Sequence, residues 1–168
     1  MPGLRLEGDG VRVTLASARR PLAEAGRLAE TFDPVETACI SVNGFGAGYH
    51  CRLMSERLRG EGVVICFEPD LNLLRAVLER VDHSAWIAAA PFVLIIDPDD
   101  GASLYDGLRG IEALPMLGTK LIDHPASRER LKASAPRFSA ILTRALKTAR
   151  SSVATALVHS RSPVRDIF

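Results

Sequence analysis

Apolar and polar positions alternate along the first fifteen residues. Leu4–Glu7 and Val11–Leu15 read as two short strands around Gly8-Asp9-Gly10, a small hairpin. From Pro21 the period lengthens. Leu22, Ala25, Leu28 and Ala29 fall on one helical face over Pro21–Thr31, with proline near the first turn, where its missing N–H is harmless. Ala38–Val42 is a short apolar run with β-branched residues, the pattern of a buried strand. A helix follows over about Tyr49–Arg59, with Leu53, Met54 and Leu58 inward, and Gly60 and Gly62 end it. Val63–Phe67 is a second buried strand. Asp70–Val81 carries Leu71, Leu74, Val77, Leu78 and Val81 at helical spacing. Phe92–Ile96 is a third strand and Thr119–Ile122 a weaker fourth, with a short helix over 102–112 between them. Beyond His124-Pro125 the chain reads as helical to about Arg150, punctuated by Pro136, with Phe138, Ile141, Leu142, Ala145 and Leu146 as its apolar stripe.

Strands that are apolar throughout, alternating with helices, call for a parallel sheet covered on both faces. Right-handed crossovers make that an α/β, Rossmann-like (methyltransferase-like) fold with a small N-terminal hairpin. The expected division is a hairpin extension over 1–16, a Rossmann-like ligand-binding domain over 17–125, and a basic helical segment over 126–168 that leads into a following domain or meets a partner.

Composition narrows the class. The chain has 168 residues, 47% of them hydrophobic and 24% charged, which suits one packed domain and is too apolar for disorder. Its longest apolar run, Ala85–Ile96, is interrupted by Pro91 and falls short of the roughly 20 residues of a membrane span. Arg5, Glu7 and Asp9 leave no room for an apolar leader, so the expectation is a cytoplasmic protein with no membrane partner. Cys39, Cys51 and Cys66 fit neither a disulfide framework nor a zinc pattern; they read as small buried apolar side chains in a reducing compartment.

The net charge of +1 hides an asymmetry. Residues 1–122 hold 12 basic and 17 acidic side chains, whereas 123–168 hold 9 and 3. Arg128, Arg130, Lys132, Arg137, Arg144, Lys147 and Arg150 belong to the second set, suited either to water or to an anionic ligand or acidic partner. Nucleic acid is a poor partner for them, because the pI is only 7.8 and no aromatic residues interleave with the charges.

One stretch carries chemistry. Gly44-Phe45-Gly46-Ala47-Gly48 lies directly between a predicted strand and a predicted helix that opens at Tyr49. A ligand lying on such a turn touches main chain, so side chains must be absent, and the helix N-terminus offers N–H groups to an anion. Glu68 closes the next strand, where an acidic residue accepts ribose hydroxyls in nucleotide-binding Rossmann sites. The same glycines would also serve a plain tight turn, and Glu68 a helix cap. The spacing is not the dinucleotide fingerprint: Tyr49 stands where a small third residue belongs, which counts against NAD. It lies closer to the loop of S-adenosylmethionine-dependent methyltransferases.

Asp97-Pro98-Asp99-Asp100 follows the third strand. Asp97-x-Asp99 has the form of a carboxylate pair for a divalent cation with a nucleotide-sugar, and equally the composition of an ordinary surface turn. His50, His83, His124 and His159 show no metal-ligand spacing, and no serine elbow, phosphate-binding lysine loop or Cys/His pair appears. No catalytic residue and no metal ligand is therefore assigned. The candidate ligand-binding residues are Gly44, Phe45, Gly46, Gly48, Tyr49, Glu68 and Asp97.

These motifs resemble a family. Ser17-Ala18-Arg19-Arg20-Pro21-Leu22-Ala23-Glu24-Ala25 is similar to the S-x-x-x-P-x-x-E-A segment of the motility-associated factor (Maf) glycosyltransferases. Gly44–His50 resembles their G-x-G-x-G-Y-H loop, Phe67-Glu68-Pro69-Asp70 their E-P-D strand end, and His124-Pro125 a later H-P, in the same order across roughly 17–155. In that family the motifs lie in a Rossmann-like N-terminal domain. Glycosyl transfer to flagellin is placed in the next domain, which resembles 6-hydroxymethylpterin diphosphokinase (MptE-like). The resemblance thus implies an accessory domain without catalytic residues, either part of a longer protein with a following catalytic domain or a stand-alone relative. The ligand it implies is nucleotide-type, with S-adenosylmethionine or a sugar nucleotide as candidates. A methyltransferase and a non-catalytic interaction module are the alternative readings.

Overall fold

The computed structural model describes residues 20–151, and in addition the backbone of 5–8, 11–14 and 152–160. The hairpin pairs as expected: β1 (Arg5–Gly8) runs antiparallel to β2 (Val11–Thr14), with Leu6 opposite Val13. Its turn residues Asp9 and Gly10 lie outside the described residues, as do Ser17–Arg19 and the chain after 160.

Four further strands form one all-parallel sheet: β3 (Cys39–Asn43), β4 (Val63–Phe67), β5 (Phe92–Ile95) and β6 (Thr119–Asp123). Their order is β5-β4-β3-β6. Following the chain, that is third, second, first, fourth, the strand order of a Rossmann half. The chain therefore reverses its direction of travel across the sheet between β3 and β6. Asn43 and Asp123 are register partners at the carboxyl ends of those two strands.

Helices cover both faces because the strands are apolar on both. Ile40, Val42, Val64, Cys66 and Ile122 share one core with α1 (Pro21–Ala29), α2 (Tyr49–Leu58), α3 (Leu71–Leu78) and α4 (Ser84–Ala89). Cys39, Val63, Ile65, Phe67, Val93 and Ile95 point to the other core. There they meet Leu104 of α5 (Gly101–Gly107), Leu131 of α6 (Arg128–Leu131) and Phe138 and Leu142 of α7 (Ala135–Ser160). The basic C-terminal segment is thus part of the domain's own core as far as Ala145. All three cysteines are free and buried. No helix among the described residues is long and apolar enough to cross a membrane.

Several expectations shift in detail. The third helix ends at Leu78 rather than Val81, and Asp70 caps it by accepting from the Leu73 N–H at 3.0 Å. Its buried set is Leu73, Leu74 and Val77, so Leu71 and Leu78 lie outward, and Leu22 of α1 does the same. Helix α4 was not legible, since six residues are too few to establish a helical period. It seats Trp86 against Phe92 at 4.8 Å between ring centres. Pro136 interrupts nothing: it sits in the first turn of α7, where a proline is tolerated.

Candidate functional site

The Gly loop joins β3 to α2 at the carboxyl edge of the sheet, and Glu68 closes β4 beside it. Gly44 donates its N–H to the Phe67 carbonyl at 2.8 Å, stitching the loop to the β4 end. Gly44, Gly46 and Gly48 have φ of 103°, 50° and 76°, left-handed values that favour glycine. Phe45 and Tyr49 are buried, Phe45 edge-on to His83 at 5.4 Å.

What approaches the bare main chain is the protein itself. A Cβ on Gly44 would stand 2.3 Å from the Ser127 Cβ, and one on Gly48 would stand 2.6 Å from the His83 ring. Ser127 belongs to a turn that leaves β6 through His124 and folds over the loop. His124 donates its N–H to the Asn43 carbonyl at 2.9 Å, and its ring stacks on that of His50 with 4.4 Å between centres. His50 in turn donates from Nε2 to the Gly44 carbonyl at 3.0 Å.

Glu68 is fully buried, and its carboxylate is fully engaged. Oε2 accepts from the Phe45 N–H at 3.2 Å and Oε1 from the Asp70 N–H at 3.2 Å. The Arg130 guanidinium lies across both oxygens, Nη1 at 2.5 Å from Oε1 and Nη2 at 2.7 Å from Oε2. Such a fork-on-fork pair is the strongest geometry for this contact. A carboxylate has about four lone-pair positions. These four donors use them, so no acceptor is left for a ribose hydroxyl. The segment His124–Arg130 packs over loop and acid, and its Arg130 guanidinium reaches Glu68 from 62 residues away in sequence.

Electrostatics follow from this packing. The His124 imidazole is pushed down to about 3, mainly by burial and further by the charges of His50 and Arg130. For His50 burial also acts downward, but the adjoining Cys51 and the Gly44 carbonyl outweigh it and raise its pKa. Burial drives the Cys39 thiol up to about 12, which keeps it protonated and inert. Ser127 Oγ lies 2.9 Å from His124 Nδ1, the spacing of a nucleophile and a base. Both residues are buried and the hydroxyl also accepts from Arg130 at 3.3 Å, so the pair is closed to a substrate.

Asp97 stands apart. Its carboxylate accepts from the Asp99 N–H at 2.9 Å, an Asx turn, while Asp99 pairs with Arg137 on α7. The two carboxylates are thus spent on a turn and an ion pair. Among the described residues no group of three His, Cys, Asp or Glu is placed to hold a metal ion.

No protein-family model, curated protein or solved structure matches the chain. The internal geometry supplies its own link between the motifs. Pro21, Glu24 and Ala25, then Ala47, Tyr49 and His50, then His124 line one cavity of about 10 Å³. That is space for about one water molecule. Segments spread over a hundred residues of sequence therefore converge on one point, with Glu68 joined to it through the Phe45 N–H. Sequence reading found the loop and the acid. It missed Arg130 and Ser127 because nothing local marks which arginine of a basic helix turns back to pair with Glu68.

Proposed function

We propose that the chain is an accessory, non-catalytic Rossmann-like module of a Maf-like protein glycosyltransferase. In this reading the position that a nucleotide cofactor takes in related folds is held by the module's own 124–130 segment. The observation that carries it is the saturated Glu68 carboxylate under Arg130. Convergence of the S-x-x-x-P-x-x-E-A, G-x-G-x-G-Y-H and H-P segments on one cavity supports the family part, since it gives those residues a shared structural reason to occur together. An S-adenosylmethionine-dependent methyltransferase would need Glu68 free for ribose, and a bulky cover that this chain uses instead to complete its core.

The test is calorimetric titration with S-adenosylmethionine, S-adenosylhomocysteine and NAD. The reading expects no saturable heat from any of them. Binding of S-adenosylhomocysteine that disappears in Glu68→Ala would overturn it in favour of a methyltransferase.

A further inference from the structure

The outer edge of the sheet at β6 has no neighbouring strand among the described residues. In the doubly wound order a further strand continues the sheet past the fourth one, and here the fourth strand is β6. The Gly118 carbonyl accepts from the Cys39 N–H at 2.9 Å, and the His124 N–H donates to the Asn43 carbonyl at 2.9 Å. Main-chain groups alternate sides along a strand. Those of Lys120 and Ile122 therefore turn toward β3 with Gly118 and His124, while those of Thr119, Leu121 and Asp123 point out of the sheet. An edge that carries such groups is a template for another strand.

Apolar surface collects at the same edge. Leu121 is 56% exposed, and Leu117, which leads into the strand, 69%. Val35 is 91% exposed, and the chain next to it packs on the strand's start, where a Cβ on Gly118 would run into the Glu36 carbonyl. On the opposite edge, Leu94 of β5 is only 36% exposed.

Charge runs head to tail along β6. At its carboxyl end the exposed Arg128 and Lys132 line one crevice with Asp123. At its amino end the exposed carboxylates Asp33 and Glu36 belong to the loop that packs on Gly118. A second β6 laid antiparallel across this edge brings each basic end to the other copy's acidic end, so the edge is complementary to itself.

We propose that two copies of this chain pair through β6, antiparallel about a two-fold axis at Leu121, and join their four-stranded sheets into one. Leu121 then lies opposite its own counterpart, Lys120 opposite Ile122 and Thr119 opposite Asp123. Thr119, Leu121 and Asp123 carry the outward groups, so each pair they form exchanges two main-chain hydrogen bonds. An axis at Lys120 would set two like charges opposite each other, and one at Ile122 would set Leu121 against Asp123. The axis at Leu121 avoids both. The inference goes beyond the closed Glu68 position and does not rest on it.

The experiment is sedimentation equilibrium of the full chain. From about 1 to 200 μM it should show a monomer–dimer equilibrium with a dissociation constant of about 100 μM or tighter. Leu121→Pro removes an outward N–H and no bond within the copy, a change that edge strands tolerate, and should weaken the dimer about tenfold or more. Leu121→Lys should weaken it similarly by setting two charges on the axis. Circular dichroism of both variants checks the fold, and either one that folds decides the matter. The native cysteines are buried, so Leu121→Cys supplies a surface thiol. A short bismaleimide should link it into a covalent dimer, while Leu94→Cys on β5 stays unlinked. A monomer at every concentration would overturn the proposal and leave the edge to a strand from another protein or domain. A dimer indifferent to both Leu121 variants, or linked through Leu94→Cys instead, would overturn it as well.

Discussion

Two halves of the same sheet edge lie on either side of Asn43, and they are finished in opposite ways. On the β4 side, loop, acid and helix end are closed by the protein's own atoms. Every acceptor on Glu68 is used, and Ser127 fills the space that the missing Gly44 side chain leaves. On the β6 side, the buried Asn43 amide oxygen accepts nothing and Arg128 pairs with no carboxylate among the described residues, and an open crevice lies beside them. The glycine-rich loop is the part that looks like a ligand site in the sequence, yet it is the part the fold keeps for itself. A close approach demanded by glycines identifies where something must lie, and here that something is His124–Arg130.

The contrast sets the scale of what substitutions should do. Arg130→Ala would strand a buried carboxylate, and the expected loss is about 3–5 kcal/mol by urea denaturation. A loss below about 1 kcal/mol would mean that the β4 half is not closed by this pair. Acid should act next. The fold lowers the His124 pKa to about 3 from its ordinary value near 6.5, so the unfolded chain binds more protons between those pH values. Its contribution is fully present above about pH 6.5 and is lost as pH falls toward 3, on the order of 3 kcal/mol between pH 7 and pH 4. Denaturation across that range in the parent and in His124→Asn would read this directly, the variant showing the flatter profile. Gly44→Ala combines a left-handed backbone with a Cβ driven into Ser127, and about 2–3 kcal/mol of destabilisation is expected, partly relieved in a Ser127→Gly background. On the open side, Arg128→Ala should leave stability within about 0.5 kcal/mol, because the side chain supports nothing in the fold. A large loss there would erase the difference between the two halves.

Much of this was legible from the chain. The strands over 63–67 and 92–95 announce themselves as apolar runs between turn residues, and glycines 44, 46 and 48 mark the bend between β3 and α2. The helix expected from Asp70 starts one residue later, and Asp70 is its cap, a position carboxylates favour. Less visible were the features set by distant packing. Helix α4 is too short to show a period, and Trp86 and His83 are placed by tertiary contact, Trp86 against Phe92 at 4.8 Å and His83 against Phe45 at 5.4 Å between ring centres. The expectation that every strand is covered on both faces holds for β3 and β4 but not for β6. As an edge strand it leaves Leu121 56% exposed. At the site, the loop and Glu68 could be read in advance because their spacing is local. Arg130 could not, because its neighbours Arg128 and Lys132 carry the same charge in the same helical surroundings, and only the path of the turn after β6 selects which of the three meets Glu68.

The direct test is a double-mutant cycle on Glu68 and Arg130, with Glu68→Gln, Arg130→Met and their combination compared by equilibrium unfolding. The account predicts a coupling of about 2–3 kcal/mol, the double variant being less damaged than the sum of the singles. Additive losses, with a coupling within about 0.5 kcal/mol of zero, would show that Arg130 does not hold the Glu68 carboxylate and that the position stands open to a ligand.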